Sequence, residues 1–159
     1  MSIVITFPNV TGNSKLEAHT GWIDLFNFAQ TITSPMSASG TGSSAGQSQL
    51  HEFQFNAKEE THCVEILKNG MSGKHFDTVQ VDYVKMTGAG QPEVYKTCIM
   101  NEVYITSYSS SRVENQDGVE SWTMSAKQAE WSFFKQNAQG GLDNIGKVKI
   151  DNETGKITG

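Results

Sequence analysis

The sequence predicts an antiparallel all-β domain with one short helix, and three observations lead there. Threonine, valine, serine and aromatic residues recur in short runs split by turn residues. Glycine, which permits tight turns, is frequent, whereas proline, which interrupts ladders, is rare: 15 against 3 in 159 residues. Apolar and polar residues alternate with a period of two in run after run, and a single stretch carries helical spacing. A chain of this length suits one domain, spanning 1–159, that buries roughly two thirds of its unfolded surface.

The first run, SIVITF, sets Ile3, Ile5 and Phe7 against Val4 and Thr6, and Pro8-Asn9 turns the chain after it. TGNSKLEAHTG is a polar loop. GWIDLFNFAQTITS is a longer strand, with Phe26, Phe28 and Ile32 on one parity and Asn27, Ala29, Thr31 and Thr33 on the other. One of its faces is therefore apolar and the other small or polar. Upstream, Trp22, Ile23 and Leu25 break the alternation, which predicts a bulge or burial on both sides. Ser34 to Gln49, SPMSASGTGSSAGQSQ, is Gly/Ser-rich, uncharged and nearly without bulk, and reads as a long, exposed, mobile loop. LHEFQFNA resumes a strand, with His51, Phe53 and Phe55 facing one way and Glu52, Gln54 and Asn56 the other.

HCVEILKNGMSGKH follows. Val64, Leu67 and Met71 fall at i, i+3 and i+7, flanked by Cys63 and Ile66, the pattern of a short amphipathic helix. Thr61 is placed to cap it, and Gly70 or Gly73 to end it in a left-handed turn. In FDTVQVDYVKM, Val79, Val81 and Tyr83 alternate with Gln80 and Asp82. TGAGQPE is a Gly-rich hairpin loop, and VYKTCIMNEVYITSY is the long returning strand. SSSRVENQDG is a polar loop closed by the turn dipeptide Asp117-Gly118. VESWTMSAKQAEWSFF places Trp122, Met124, Trp131 and Phe133 on an apolar side. The tail, 138–159, ends in a small hairpin about Asn152 to Gly155.

Charge removes whole classes of function. Twelve Lys and Arg stand against 17 Asp and Glu, a net charge of -5 with the basic residues scattered. That pattern lacks the footprint of a nucleic-acid binder and does not favour anionic lipid. No apolar run approaches the roughly 18 residues of a membrane span, so membrane insertion is not expected. MSIVITFPNV has no charged n-region, long apolar core or small-residue cleavage site, which predicts cytoplasmic synthesis without a signal peptide. The two cysteines, Cys63 and Cys98, read as free, buried and reduced.

No candidate chemistry converges. His62 and Cys63 are adjacent on a helix and diverge, His75 lies beyond two glycines, and no C-x-x-C or H-x-x-x-H accompanies them. The reading is a core Cys63 beside a solvated His62. GTGSSAG lacks the Gly-Lys-Ser/Thr of a phosphate loop and leads into a strand. Glu59-Glu60 and the acids of 114–117 read as solvated charge, and the Asn152-Glu-Thr sequon as a turn. No catalytic, cofactor-binding or metal-binding residue is assigned, and no enzyme activity is expected. Trp22, Trp122 and Trp131 support a competing reading, a monomeric β-sandwich module binding carbohydrate or another ligand. Packing is the commoner role of such residues.

The series GWIDLFNFAQTITSP, a Gly/Ser loop, LHEFQFNAKEETHCVEILKNGMSGKHFDTVQVDYVKMTGAGQPEVYKTCIMNEVYITSYS and GVESWTMSAKQAEWSFF resembles the Hcp family, the tube-forming proteins of bacterial type VI secretion systems. WIDL before the loop, SGKHF after the helix and VESWTMSAKQAEW are its most telling pieces. The resemblance implies an antiparallel two-sheet β-barrel or sandwich with the short α-helix on its flank. It implies homo-hexameric rings that stack into a tube inside contractile sheath proteins, tipped by a spike protein, and exported with effector cargo in the lumen. The loop 34–49 would then touch the next ring through Met36, Ser37, Gly40, Gly42, Ser43, Ser44, Gly46 and Gln47. The polar parity Asn27, Ala29, Thr31 and Thr33 is the expected lumen face.

Overall fold

A computed structural model describes residues 1–34, 36–39, 42–45, 48–88 and 90–159. Its elements are β1 (Ser2–Thr6), β2 (Ile23–Ala29), β3 (Ile32–Thr33), β4 (Met36–Ser39), β5 (Gly42–Ala45), β6 (Gln49–Leu50), β7 (Phe53–Lys58), α1 (His62–Gly70), β8 (Phe76–Met86), β9 (Pro92–Ser111), β10 (Val119–Gln136), β11 (Leu142–Asp151) and β12 (Ile157–Thr158). The main sheet runs β12-β11-β10-β7-β2-β1-β8-β9, and β9 pairs back onto β10. Six antiparallel strands thus close into a barrel, with β11 and β12 extending the sheet from β10. Closure satisfies ladder groups that an open sheet would leave bare.

The barrel closes over an aromatic core because the strand patterns aim inward. On β7, Phe53, Phe55 and Ala57 are fully buried and alternate with exposed or half-buried Gln54, Asn56 and Lys58. Phe55 stacks on Trp122 of β10 at 6.2 Å, and Phe7 meets Phe76 edge-on at 5.0 Å. On β1, Val4 and Ile5 are both buried, so this strand is covered on both faces.

The apolar side of the longest strands changes parity. On β9 the buried positions are Cys98 and Met100, then Val103 and Ile105; on β10 they are Trp122, Met124 and Ala126, then Ala129 and Trp131. Both strands switch where Glu102, at φ 52, lies opposite Lys127 between the pairs Val103↔Ala126 and Asn101↔Gln128. Lys127 Nζ holds the Glu102 carboxylate at 3.5 Å and that of Glu153 at 3.1 Å. Strands passing from one layer to another turn through such irregularities. Phe133, beyond the switch, is partly exposed rather than part of the core.

Four local expectations are corrected. The segment 34–49 is not all loop: β4 and β5 pair antiparallel, from Met36↔Ala45 to Ser39↔Gly42, and β3 pairs β6 beneath them. Small residues lower the tendency to form strands, but a turn that brings two short runs into register still lets their backbones bond. Of the residues expected to touch a neighbouring ring, Met36, Ser37, Gly42, Ser43 and Ser44 lie on this ribbon; Gly40, Gly46 and Gln47 lie outside the described residues. On β2, the ladder steps from Leu25↔Ala57 to Asn27↔Asn56, leaving Phe26 as the extra residue of a bulge. Phe26 is 64% exposed instead of sharing the apolar face of Phe28.

The helix is also rotated from its expected setting. It buries His62, Cys63, Ile66 and Gly70, while Val64 and Met71 are exposed. Gly70 explains the rotation: a Cβ there would lie 2.6 Å from Ile105 Cγ1, so α1 presses against β9 at the one position without a side chain. Thr61 is in helical conformation and makes no side-chain cap, whereas Gly73 supplies the left-handed residue after the helix, at φ 82.

Candidate functional site

The buried polar chemistry gathers in two histidine–carboxylate pairs. His62, the first residue of α1, donates from Nε2 to Glu120 Oε2 of β10 at 2.9 Å, and Trp122 Nε1 donates to the same oxygen at 2.9 Å. His62 is 1% and Glu120 0% exposed, so the expected solvated His62 is in fact a core group. Burial pushes the Glu120 carboxyl up, but the hydrogen bonds from His62 and Trp122 outweigh it and hold it below the ordinary carboxylate value. Next to it, Cys63 Sγ donates to Tyr108 Oη at 3.3 Å. The second pair joins His19 Nε2 to Asp82 Oδ2 at 2.8 Å; Asp82 Oδ1 also accepts from Gln80 and Thr97.

These pairs fasten rather than react. One ties the start of α1 to the barrel, and the other ties the 11–21 loop to β8. Both cysteines are free and buried. Burial raises the thiol of Cys63 and pushes that of Cys98 up to about 12, which keeps both in the weakly nucleophilic protonated form. Among the described residues, no group of three or more His, Cys, Asp and Glu is placed to hold a metal ion. No described helix is long and apolar enough to cross a membrane. Trp122 and Trp131 are buried in the core and Trp22 is half-buried, so the three do not form the groove that the carbohydrate reading requires.

The surfaces carry the remaining features. Asn27, Ala29, Thr31 and Thr33 are all exposed, and Asn27 Oδ1 accepts from the backbone N–H of Asn56 at 3.0 Å. Thr33 sits at the base of the β4–β5 ribbon, where its hydroxyl lies 2.7 Å from His51 Nε2. One feature escaped the pattern reading altogether, a cleft of about 440 Å³ beside Phe26, lined by both polar and apolar groups: Met1, Ser2, Ile3, Ser14, Leu16, Asp24 and Leu25. Its only sequence signal was the broken alternation around Leu25.

A closed barrel whose two buried polar pairs hold its own elements together, and whose short strands β4 and β5 pair only with each other in the described sheets, has the make of a structural building block. A family model for the type VI secretion system effector Hcp matches residues 4–133. The chain belongs to the Hcp family, the secreted tube proteins of type VI secretion, which are structural and not enzymatic.

Solved structures agree on the fold. The chain is similar to a type six secretion system protein at TM-score 0.89 and 18% identity, covering 99% of each chain. It is similar to Hcp1 from Salmonella typhimurium at TM-score 0.77 and 17% identity, covering 99% of this chain and 98% of that one. A type VI secretion system effector from Yersinia pestis matches at TM-score 0.73 and 16% identity, over 94% and 98%. A comparison with curated protein sequences found no match.

Proposed function

We propose that this subunit closes into hexameric rings that stack as a tube inside a contractile sheath beneath a spike protein. The tube carries effector cargo in its lumen and is assembled in the cytoplasm for export without a signal peptide. Neither nucleic acid nor membrane insertion has a part in this reading. The family match over 4–133 carries it.

Two surface features support the detail. In strand pairing, β4 and β5 join only each other among the described residues, and this self-paired ribbon suits contact with a facing ring. Its residues 36–39 and 42–45 are uncharged, so contact desolvates no ion. A ribbon already paired loses less backbone entropy on docking than a free loop does. Contacts repeated around a ring add through effective concentration, so each can be weak and the tube can still come apart after delivery. The ring-to-ring contact is assigned to Met36, Ser37, Gly40, Gly42, Ser43, Ser44, Gly46 and Gln47. The lumen face is assigned to Asn27, Ala29, Thr31 and Thr33, small neutral groups that tolerate varied cargo.

Negative-stain imaging together with solution mass tests the whole reading. The intact chain gives annular particles of about six subunits. Replacing residues 37–46 with a two-residue turn leaves those rings but shortens or abolishes their stacks. Long tubes from the shortened variant would remove the ribbon from the ring-to-ring contact.

A further inference from the structure

Asn or Asp stands directly before Gly at two places, Asn69-Gly70 and Asp117-Gly118. Such pairs are prone to cyclise, because a glycine has no Cβ to keep its nitrogen away from the side-chain carbonyl carbon of the preceding residue. In a free chain at neutral pH the amide pair reacts first, since ammonia leaves a side-chain amide more readily than water leaves an ionised carboxyl. The fold reverses that order.

Asn69-Gly70 is locked. It forms the end of α1, where the helical ladder commits the Gly70 N–H to the residue four back. Asn69 Nδ2 donates to the Glu65 carbonyl at 3.0 Å, which holds the side chain back along the helix. Gly70 is buried, and a Cβ on it would lie 2.6 Å from Ile105 Cγ1, so the backbone there has no room to change shape. Asp117-Gly118 is open. It falls between the end of β9 at Ser111 and the start of β10 at Val119. The Asp117 side chain is 76% exposed, and its ion pair with Lys58 Nζ, at 3.1 Å, is exposed at both ends and tethers it weakly. The Gly118 carbonyl accepts from the Glu59 N–H at 2.8 Å, but the Gly118 N–H has no acceptor among the described residues. The Glu59 carboxylate occupies the space where a Cβ at 118 would stand, which suits glycine there.

We propose that Asp117 is a modification site, where the folded protein converts spontaneously to isoaspartate. The Gly118 nitrogen attacks Cγ of the protonated Asp117 carboxyl and a C–N bond forms. The nitrogen's proton and the carboxyl hydroxyl leave as water, and a cyclic succinimide joins the two residues. Water then adds back. Opening the ring at the former side-chain carbonyl restores aspartate, whereas opening it at the main-chain carbonyl gives isoaspartate. One water leaves and one returns, so the reaction needs no oxidant, enzyme or cofactor. In the product the backbone runs through the former side chain and is one methylene longer, while the free carboxylate is one methylene shorter. The carboxylate thereby withdraws from Lys58. The bond from Glu59 to Gly118, which leads into the pair Val119↔Lys58 at the start of the β10–β7 ladder, is displaced.

The full chain is held at neutral pH for several weeks, one sample folded and one in guanidinium chloride, and both are then digested with trypsin. Peptides 69–74 and 113–127 each carry one of the two pairs. The probe is protein isoaspartyl methyltransferase with labelled S-adenosylmethionine, which esterifies isoaspartate and leaves aspartate alone. The folded sample gives label on 113–127 ahead of 69–74, and the unfolded sample gives the opposite order. Asp117→Ser abolishes the label on 113–127. Electron-transfer fragmentation of the parent peptide, which separates the two isomers, places the change at 117 without a variant. No label on 113–127 from the folded chain, a label that survives Asp117→Ser or maps to Asn115, or 69–74 leading in the folded sample overturns the proposal. The same order in both samples also overturns it, because the fold then selects nothing.

Discussion

His62 and Glu120 meet in a part of the molecule where neither can be hydrated. Their bond fixes the start of α1 against β10, and removing one partner leaves the other charge or dipole buried alone. His62→Ala is expected to cost about 3–5 kcal/mol of unfolding free energy, measured by urea titration. The pH dependence has a definite sign. The Glu120 carboxyl is held below its ordinary value of 4.5 in the fold, so its stabilising effect is complete above that pH. The effect is lost as pH falls through the depressed folded value. In His62→Ala the principal hydrogen bond that depresses it is gone and burial dominates, so the variant is less stable at neutral pH but the acid loss due to Glu120 disappears, and the gap to the parent narrows as pH falls. Thermal melts between pH 3 and 7 check this; a gap that stays constant would show that the pair does not set the acid stability.

At the scale of elements, two glycines separate a packing constraint from a softer one. A Cβ on Gly70 would stand 2.6 Å from Ile105 Cγ1 and 2.9 Å from Ile105 Cβ, within the buried contact between α1 and β9. A Cβ on Gly118 would meet mainly the Glu59 carboxylate, at the end of a side chain that can swing aside. Gly70→Ala is therefore expected to destabilise by about 1–3 kcal/mol and Gly118→Ala by clearly less, with Ile105→Val partly relieving the former. Equal losses at the two glycines would mean that α1 has room to shift. The same contact explains what the sequence could and could not convey. β7 was legible because Phe53, Phe55 and Ala57 alternate without interruption, and two-residue alternation is a local property. The setting of α1 was not, because Ile66 and Leu67 are both apolar and the choice between their faces is made by Ile105, far along the chain. Phe26 was misplaced for a related reason: a bulge is a mismatch in count between two strands, visible only once β7 lies beside β2. His62 looked solvated because its carboxylate partner arrives from 58 residues away. The β4–β5 ribbon was hidden by composition, since Ser and Gly describe a free chain better than a paired one. The polar parity of Asn27, Ala29, Thr31 and Thr33 was readable as alternation, but which side of a ring it faces is not a property of one strand.

At the scale of the whole molecule, Asn152 joins the tail to the middle of the chain. Its Nδ2 donates to the Leu50 carbonyl at 2.8 Å and to that of Ala126 at 3.4 Å, and its Oδ1 accepts from the Leu50 N–H at 2.7 Å. The side chain thereby completes both backbone groups of a residue 102 positions away and clips the tail turn to β6 and β10. β6 pairs β3 at Ile32↔Leu50 and Thr33↔Gln49, and this short ladder is the footing from which the β4–β5 ribbon rises. Asn152→Ala removes donors and acceptor together and is expected to cost about 1–3 kcal/mol. Asn152→Asp keeps the acceptor but sets a carboxylate against two carbonyl oxygens, so at neutral pH it should destabilise at least as much. Hydrogen exchange localises the effect: the amide of Leu50 and the β3–β6 ladder lose protection in both variants, while β7 to β9 keep theirs. If ribbon placement governs stacking, these variants form rings as the parent does but stack poorly, although neither alters a residue of the ribbon. Normal stacks from a variant whose β3–β6 protection is lost would show that the ribbon finds its neighbour without a fixed footing.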